Sequence, residues 1–212
     1  MASTWFLRAG SSGTLADTFE QSNKAGVGWS DIAGFEDLRE IERPALGAAL
    51  RASGKSASVA AADADELMAF RDGMQVGDIL VVPDSAKRQV LVGEIAADYE
   101  FGDEPIGECL HLRDVLWLGR ADRDGLDPAL RTDLNVRRTV RNLEANAEGW
   151  ASIAQRLRDG EKLAGKRKVS APRGRLEAIE AERVASERKC PGCGFLKRST
   201  QFDESGVCVD CR

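Results

Sequence analysis

Four of the five cysteines form one group near the C-terminus, and their spacing is that of a metal site. Cys190-Pro-Gly-Cys193 and Cys208-Val-Asp-Cys211 are two Cys-x-x-Cys hooks separated by fourteen residues. Together they supply four thiolates for a tetrahedral Zn²⁺ at about 2.3 Å per bond. Because four protein ligands leave no open coordination position, the pattern predicts a structural zinc ion, not a catalytic one. This grouping is not the spacing of a disulfide framework and indicates a reducing compartment.

A second stretch that could bind a ligand is Gly26-Val27-Gly28-Trp29-Ser30-Asp31-Ile32. It is a short apolar strand that ends in an indole, followed at once by a hydroxyl and a carboxylate. An aromatic face beside two polar groups suits a flat ligand such as a nucleobase. An ordinary core tryptophan at a strand end has the same sequence pattern, so these residues by themselves leave both interpretations open.

Other catalytic arrangements are not indicated. His111 is the only histidine, and its apolar strand context is typical of a core or surface residue rather than a general base. Cys109 precedes it by two residues, a pairing that we interpret as coincidence. Gly10-Ser-Ser-Gly13 does not match a phosphate-binding Walker loop. The sequence therefore does not indicate an enzyme.

The apolar periodicity predicts an α+β fold that presents the Trp29 strand at the edge of a sheet. The predicted strands are Trp5–Ala9, Gly26–Trp29, Ile79–Val82, Gln89–Ile95 with a continuation to Phe101, and Leu110–Leu118. The predicted helices are Thr14–Ser22, Phe35–Leu50 with an interruption at Pro44, Ala60–Phe70, Asp127–Thr132, Val136–Leu157 and Leu176–Arg188. Residues 102–108 are predicted to form an acidic loop.

Charge divides the chain into an acidic body and a basic tail. Residues 1–154 contain 16 Lys and Arg against 26 Asp and Glu, whereas residues 155–212 contain 14 against 9. The predicted organisation is a main domain at 1–157, a basic linker and charged helix at 158–189, and a four-cysteine unit at 190–212. A basic tail on an acidic body suits contact with phosphate, although a solvated linker has the same composition. The candidate phosphate contacts are Lys166, Arg167, Lys168, Arg173 and Arg175.

The apolar runs and the N-terminus predict the compartment. No run approaches eighteen apolar residues, and Met1–Arg8 lacks the layout of a signal peptide. We therefore expect a soluble cytoplasmic protein without a membrane partner.

Several segments, taken in order, resemble the EVE/YTH branch of the PUA-like superfamily. They are Trp-Phe-Leu-Arg-Ala-Gly at 5–10, Gly-Val-Gly-Trp-Ser at 26–30, Met-Gln-Val-Gly-Asp-Ile-Leu-Val-Val at 74–82 and Val-Leu-Val-Gly-Glu-Ile-Ala-Ala-Asp-Tyr at 90–99. The resemblance covers roughly residues 4–143 and is greatest to the N-terminal reader domains of Mrr-like and other modification-dependent (type IV) restriction proteins. It implies a small, strongly bent β-barrel flanked by helices, with a cage that holds a modified, flipped base.

Carried over to this sequence, the resemblance implies a role for each of five residues. Trp29 would be the stacking wall and Tyr99 a second wall. Ser30 and Asp31 would form hydrogen bonds with the base edge. Arg8 would contact phosphate or the pocket rim. The acidic body departs from what a duplex binder is expected to show, and this departure shifts phosphate contact to the tail.

The cysteine-rich end resembles the zinc ribbons that follow such readers in restriction proteins. The resulting hypothesis is a non-enzymatic reader of a methylated or hydroxymethylated base in DNA, in defence or regulation, with a structural Zn²⁺. No nuclease domain is recognisable in this chain, so cleavage would need a partner nuclease. Two alternatives are an RNA-binding PUA-like protein and an interaction module whose ribbon docks a partner nuclease.

Overall fold

The computed structural model describes residues 2–10, 13–29 and 37–163, together with the backbone of two short strands at 187–189 and 196–198. The chain divides into two units, Met1–Gly165 and Lys166–Arg212. Of the predicted site residues, Ser30, Asp31, the five tail cations and the four clustered cysteines lie outside the described residues.

The first unit is a mixed α+β fold. Its strands are β1 (Thr4–Leu7), β2 (Lys24–Val27), β3 (Ile79–Asp84), β4 (Gln89–Ile95), β5 (Glu100–Ile106), β6 (Cys109–Asp122) and β7 (Val140–Asn142). Its α-helices are α1 (Ala16–Ser22), α2 (Arg43–Ala52), α3 (Ala57–Met68), α4 (Pro128–Asp133) and α5 (Ala147–Arg158). A π-helix at Ala69–Gly73 and 3₁₀ turns at Arg123–Gly125 and Glu144–Asn146 complete it.

The seven strands form one curled half-barrel sheet with the order β2-β6-β4-β3-β1-β7, and β5 also pairs with β6. The long strand β6 is the centre of this arrangement. Its first half pairs with β2 and β5, and its second half pairs with β4. The β1–β3 pairing is parallel and all other pairings in this sheet are antiparallel.

A register shift between Val92 and Gly93 bends the sheet where β4 meets β6. A Cβ atom at position 93 would lie 2.6 Å from Trp117 Cε3 and 2.6 Å from Val115 Cγ1, so only glycine fits beneath these side chains. Bulges of this kind increase local twist and bend the strand that carries them. This bend allows β6 to pair with β2 and β5 in its first half and with β4 in its second half.

Both faces of the central strands are covered by helices. Successive residues of a strand point to opposite faces, and Trp5 and Leu7 accordingly join the core beneath α1, α2 and α3, whereas Phe6 joins the core beneath α4 and α5. Strand β3 is also buried on both faces. Its sequence is therefore a continuous apolar run, since such a strand needs no alternation of polar and apolar residues. No helix in the described residues has both the length and the apolar character that a membrane span requires.

Three helix predictions need correction. The prediction of a helix over Phe35–Leu50 interrupted at Pro44 is wrong in its first part, because α2 begins at Arg43 and Pro44 stands in its first turn. Proline lacks an N–H that the first turn would leave unpaired anyway, so it starts this helix. The helix predicted over Val136–Leu157 is limited to α5, since Val140–Asn142 form strand β7 against β1. At Glu187–Arg188, the end of the predicted charged helix, the chain is instead in a strand.

Each of the five predicted strands is present, as β1, β2, β3, β4 and β6, but their ends differ from the predicted ones and β5 and β7 were not predicted as separate strands. The strand predicted to run from Gln89 to Phe101 is interrupted at residues 96–99, and β5 is a separate strand. Residues 102–106, predicted as a loop, belong to β5, and the turn is confined to Gly107 and Glu108. The acidic composition indicated a loop, yet strand pairing with β6 overrides that local preference.

Asp78 fastens the N-terminal strand to the sheet, and its loss is expected to destabilise the fold. Its carboxylate is buried and accepts hydrogen bonds from the backbone N–H of Ser3 at 2.7 Å, Trp5 Nε1 at 2.8 Å and the backbone N–H of Gln75 at 3.0 Å. We expect Asp78→Ala to lower the free energy of unfolding by about 2 kcal/mol, because it leaves buried donors unpaired. Urea unfolding measures this, with the exposed Asp103→Ala as control; an equal loss in both variants would contradict the assignment.

In the second unit, β8 (Glu187–Lys189) pairs antiparallel with β9 (Leu196–Arg198). Strand β8 ends directly before Cys190, and β9 begins three residues after Cys193.

Candidate functional site

A cavity of about 270 Å³ opens where the ends of β1 and β2 meet the β5–β6 turn. Drug-sized ligands occupy cavities of about 300–1,000 Å³, so this one suits a small planar group. Its lining comes from four separate stretches of chain, at the end of β1, the end of β2, the start of β6 and the approach to β7. The lining residues are Arg8, Gly10, Leu15, Gly26, Val27, Gly28, Trp29, Glu108, Cys109 and Thr139.

Trp29 forms part of the cavity wall, and its side chain contacts helix α3 and the loop that precedes this helix. The half-buried indole donates a long hydrogen bond from Nε1 to Asp63 Oδ2 at 3.3 Å. Lys55 forms an ion pair with the same carboxylate at 2.5 Å, and its Nζ lies 6.0 Å from the centre of the indole. These contacts fix the side chain in one orientation.

The backbone at Trp29 is in the left-handed region, with a φ of 68°. Bulky residues rarely adopt this conformation, and it persists only where the surroundings enforce it. The turn directs the chain out of β2 and places the indole at the cavity. Gly28, just before it, also lines the cavity, and a Cβ atom added there would have no atom within 4 Å.

Arg8 lines the same cavity from the end of β1. Its Nη2 donates to the carbonyl oxygen of Val136 at 2.6 Å, and its backbone N–H donates to the carbonyl oxygen of Thr139 at 2.8 Å. Within the described residues its guanidinium has no carboxylate partner. The structure therefore brings two of the five predicted pocket residues, Arg8 and Trp29, to one cavity.

Tyr99 does not line this cavity. Its hydroxyl accepts a hydrogen bond from the backbone N–H of Leu38 at 3.2 Å and lies 2.8 Å from Nδ1 of His111. Its ring stacks on His111 and meets Phe70 edge-on. Burial raises the pKa of the Tyr99 hydroxyl to about 12. The expected second wall is thus a hydrogen-bonded core residue, because the break between β4 and β5 directs Tyr99 toward the helices.

His111 is a buried, neutral core residue. The Tyr99 hydroxyl, which accepts from the backbone N–H of Leu38, also forms a hydrogen bond with Nδ1 of His111. Nε2 is buried without a hydrogen-bond partner. Burial lowers the pKa of His111 to about 4, and burial likewise raises the pKa of the Cys109 thiol to about 11. A pKa of about 4 makes His111 a weak base near neutral pH, and Cys109 stays a protonated thiol there, so neither group suits acid–base or thiolate chemistry at that pH.

This burial predicts a pH dependence of stability. Above the unfolded-state pKa of about 6.5 both states hold a neutral His111. As the pH falls from about 6.5 toward 4, the unfolded chain binds a proton that the folded chain does not, so the free energy of unfolding falls by up to about 3 kcal/mol. We expect His111→Gln to lose less stability than the wild type between pH 7 and pH 4 in urea unfolding. Parallel curves for the two proteins would contradict this.

The cavity contains residues that the sequence patterns did not single out as pocket residues. Glu108, Cys109 and Thr139 reach it through the β5–β6 turn and the β1–β7 pairing. The only sequence signal for them was the turn-rich stretch before Cys109. No group of three or more His, Cys, Asp or Glu side chains in the described part of the chain is arranged to hold a metal ion.

Comparison with known proteins assigns the family. The family model described as a domain of unknown function, DUF8426, matches residues 5–144. The chain belongs to the DUF8426 family. The DUF8426 region contains β1 to β7 and every lining residue of the cavity, whereas α5 and the cysteine-rich tail lie beyond it.

Beyond the DUF8426 match, no curated protein sequence matches the chain. One solved structure, the crystal structure of protein Atu2648 from Agrobacterium tumefaciens, is similar over 74% of this chain and 93% of its own length. The identity is 13% and the TM-score is 0.32.

Proposed function

We propose that this protein is a non-enzymatic reader that binds a modified, flipped base of a nucleic acid, with DNA favoured over RNA, in the cavity beside Trp29. The observation that carries the proposal is the meeting of Trp29 and Arg8 at one cavity, as the EVE/YTH resemblance implied. In this proposal the curled sheet is a PUA-like bent barrel. Its role is in defence against modified DNA or in regulation.

The cavity supports this reading through its size and its aromatic wall. Stacking on an aromatic side chain contributes about 1–3 kcal/mol per base, and flipping a base from its stack costs a few kcal/mol. Stacking therefore does not suffice alone, and hydrogen bonds and phosphate contacts have to supply the remainder. In the proposal, Ser30 and Asp31, which follow Trp29 directly, form hydrogen bonds with the base edge.

The tail supplies phosphate contacts in this proposal. Lys166, Arg167, Lys168, Arg173 and Arg175 form a dense group of cations within ten residues. Neutralising phosphates releases condensed counterions, so such a segment strengthens binding without reading sequence. An overall acidic body makes a contribution of this kind necessary.

The C-terminal unit is proposed to be a zinc ribbon with Cys190, Cys193, Cys208 and Cys211 as ligands. The paired strands β8 and β9 lie on either side of the first Cys-x-x-Cys hook in the chain. This order is the one expected for a zinc-binding hook in the turn of a β-hairpin. A closed four-thiolate site stabilises so short a unit and provides no position for a substrate. Cleavage of nucleic acid in this scheme belongs to a partner nuclease.

Direct binding measurements test the proposal. The full chain is titrated with methylated, hydroxymethylated and unmodified duplexes of one sequence, and with single-stranded RNA as competitor. We expect one modified duplex to bind at least about tenfold more tightly than the unmodified one, because the cavity recognises the added group. Equal affinity for all duplexes would overturn base reading, and stronger competition by RNA would favour the RNA-binding alternative.

A further inference from the structure

The edge strand β7 and the residues just before it carry three exposed arginines on an otherwise acidic body. They are Arg137, Arg138 and Arg141. Arg138 pairs with Glu66 at 3.2 Å. Arg137 and Arg141 have no carboxylate partner in the described part of the chain, and neither side chain forms a hydrogen bond there.

Most exposed arginines on this body have a carboxylate partner. Outside β7 and the residues before it, Arg51 is the one exposed arginine in the described part of the chain that lacks such a partner. The others are held by carboxylates at close range, so their positive charge is largely neutralised. These pairs are Arg39–Asp37, Arg43–Asp65, Arg88–Asp124, Arg156–Glu161 and Arg158–Glu94. A guanidinium without such a partner retains its full attraction for an anion, and its planar fork matches phosphate oxygens.

The unpaired arginines are close in the chain to residues that form or contact the cavity wall. Thr139, which lines the cavity, stands between Arg137 and Arg141 in the chain, and its carbonyl oxygen accepts from the backbone N–H of Arg8. Arg141 pairs with Phe6 across β1 and β7, so its side chain lies on the Phe6 face of the sheet, two residues after Thr139 in the chain. The carbonyl oxygen of Val136, which precedes Arg137, is bound by Nη2 of Arg8.

The opposite side of the cavity has the opposite charge. Glu108 lines the cavity from the β5–β6 turn, and the neighbouring strand β5 exposes Asp103 and Glu104. A polyanion that reaches the cavity is repelled from the β5 side and attracted to the β7 side. The distribution of charge therefore gives the cavity one entry side for a phosphate backbone.

We propose that Arg8, Arg137 and Arg141 form a phosphate-contact surface on the folded body. This surface holds the sugar–phosphate backbone of a nucleic acid along β7 while a base occupies the cavity. The inference rests on the proposed reader function and adds the contacts that orient the strand. It also limits the role of the tail, because the folded body then has phosphate contacts of its own at the cavity.

The test compares two double variants of the full chain that remove the same charge. The first is Arg137→Gln with Arg141→Gln. The control is Arg88→Gln with Lys162→Gln. Both residues lie near the end of β6 that is away from Cys109. The backbone carbonyl oxygen of Arg88 accepts from the N–H of Arg123, and that of Leu163, next to Lys162, accepts from the N–H of Asp122. Thermal unfolding verifies that both variants fold.

Binding is measured with modified and unmodified DNA duplexes and with single-stranded RNA at several salt concentrations. We expect the β7 variant to bind all ligands about tenfold more weakly, with the preference for the modified duplex retained. The slope of log affinity against log salt falls by about 2 on duplex DNA, since two phosphate contacts are lost. The control is expected to change neither quantity.

The outcomes separate this inference from the reader function. A β7 variant whose affinity and salt slope equal those of the control overturns the phosphate surface, whether or not the wild type prefers a modified base. A wild type that binds every duplex equally, with an arginine-dependent slope, supports the surface and overturns base reading. Absence of binding to both DNA and RNA overturns both, and a larger effect on RNA than on DNA identifies RNA as the backbone held.

Discussion

Replacement of Trp29 by alanine is expected to abolish the preference for a modified base and to weaken binding to the modified duplex about 5- to 150-fold. The physical reason is the loss of one stacking wall, which contributes about 1–3 kcal/mol per base. Phosphate contacts remain, so binding to the unmodified duplex changes little. Fluorescence anisotropy with matched modified and unmodified duplexes measures both affinities. An unchanged ratio between them would remove Trp29 from the site.

Two further variants separate stacking from damage to the fold. Trp29→Phe retains an aromatic face and is expected to keep most of the preference. Gly28→Leu adds a side chain at a lining residue of the cavity where a Cβ atom meets no atom within 4 Å, and we expect it to hinder a ligand with little effect on stability. If Gly28→Leu folds normally and still binds the modified duplex as the wild type does, the base occupies some other place.

Removal of zinc is expected to unfold the C-terminal unit, and this is the largest effect on stability that we predict. Binding of structural Zn²⁺ to four-ligand sites contributes about 10–16 kcal/mol in small zinc-binding units at neutral pH. The purified chain is expected to contain one zinc ion, and Cys193→Ser to contain none. Metal analysis gives the stoichiometry, and limited proteolysis reports cleavage after residue 165 in the variant or with a chelator.

The chain provides a matched control in its fifth cysteine. Cys109 is buried at the cavity wall, far in sequence from the four clustered cysteines. We expect Cys109→Ser to retain the full zinc content and the protease resistance of the C-terminal unit. Equal loss of zinc from Cys109→Ser and Cys193→Ser, or a wild-type chain without zinc, would contradict the four-cysteine site.

Much of the element order could be predicted because local patterns determine it. Ile79–Val82 and Gln89–Ile95 are strongly apolar and β-branched, and both are strands. Helix α5 has Trp150, Ile153 and Leu157 on one face, at the spacing of a helix packed against a sheet. Pro44 was predicted to interrupt a helix, whereas it stands in the first turn of α2. The effect of a proline depends on whether the residues before it are already helical.

The structure places two of the predicted pocket residues, Arg8 and Trp29, at one cavity, and the contacts explain why. Trp29 directly follows Gly28, which also lines the cavity, so the local sequence pattern was sufficient to predict Trp29 as a pocket residue. Arg8 reaches the cavity through pairing between β1 and β7, and only the family resemblance indicated it. The family resemblance implied Tyr99 as a second wall, whereas the break after Ile95 places it beside His111.

The sequence by itself predicted a main domain followed by a C-terminal unit, the metal-type spacing of the cysteines and the strand that leads to Trp29. Each depends on residues near one another in the chain, where spacing and periodicity are sufficient. Only the tertiary structure decided which side chains meet Trp29. Strand pairing brings Arg8, Cys109 and Thr139 together from three distant segments, and their contact depends on register and on the bend at Gly93. Those long-range contacts place the indole at a cavity whose wall also includes Arg8 and Glu108.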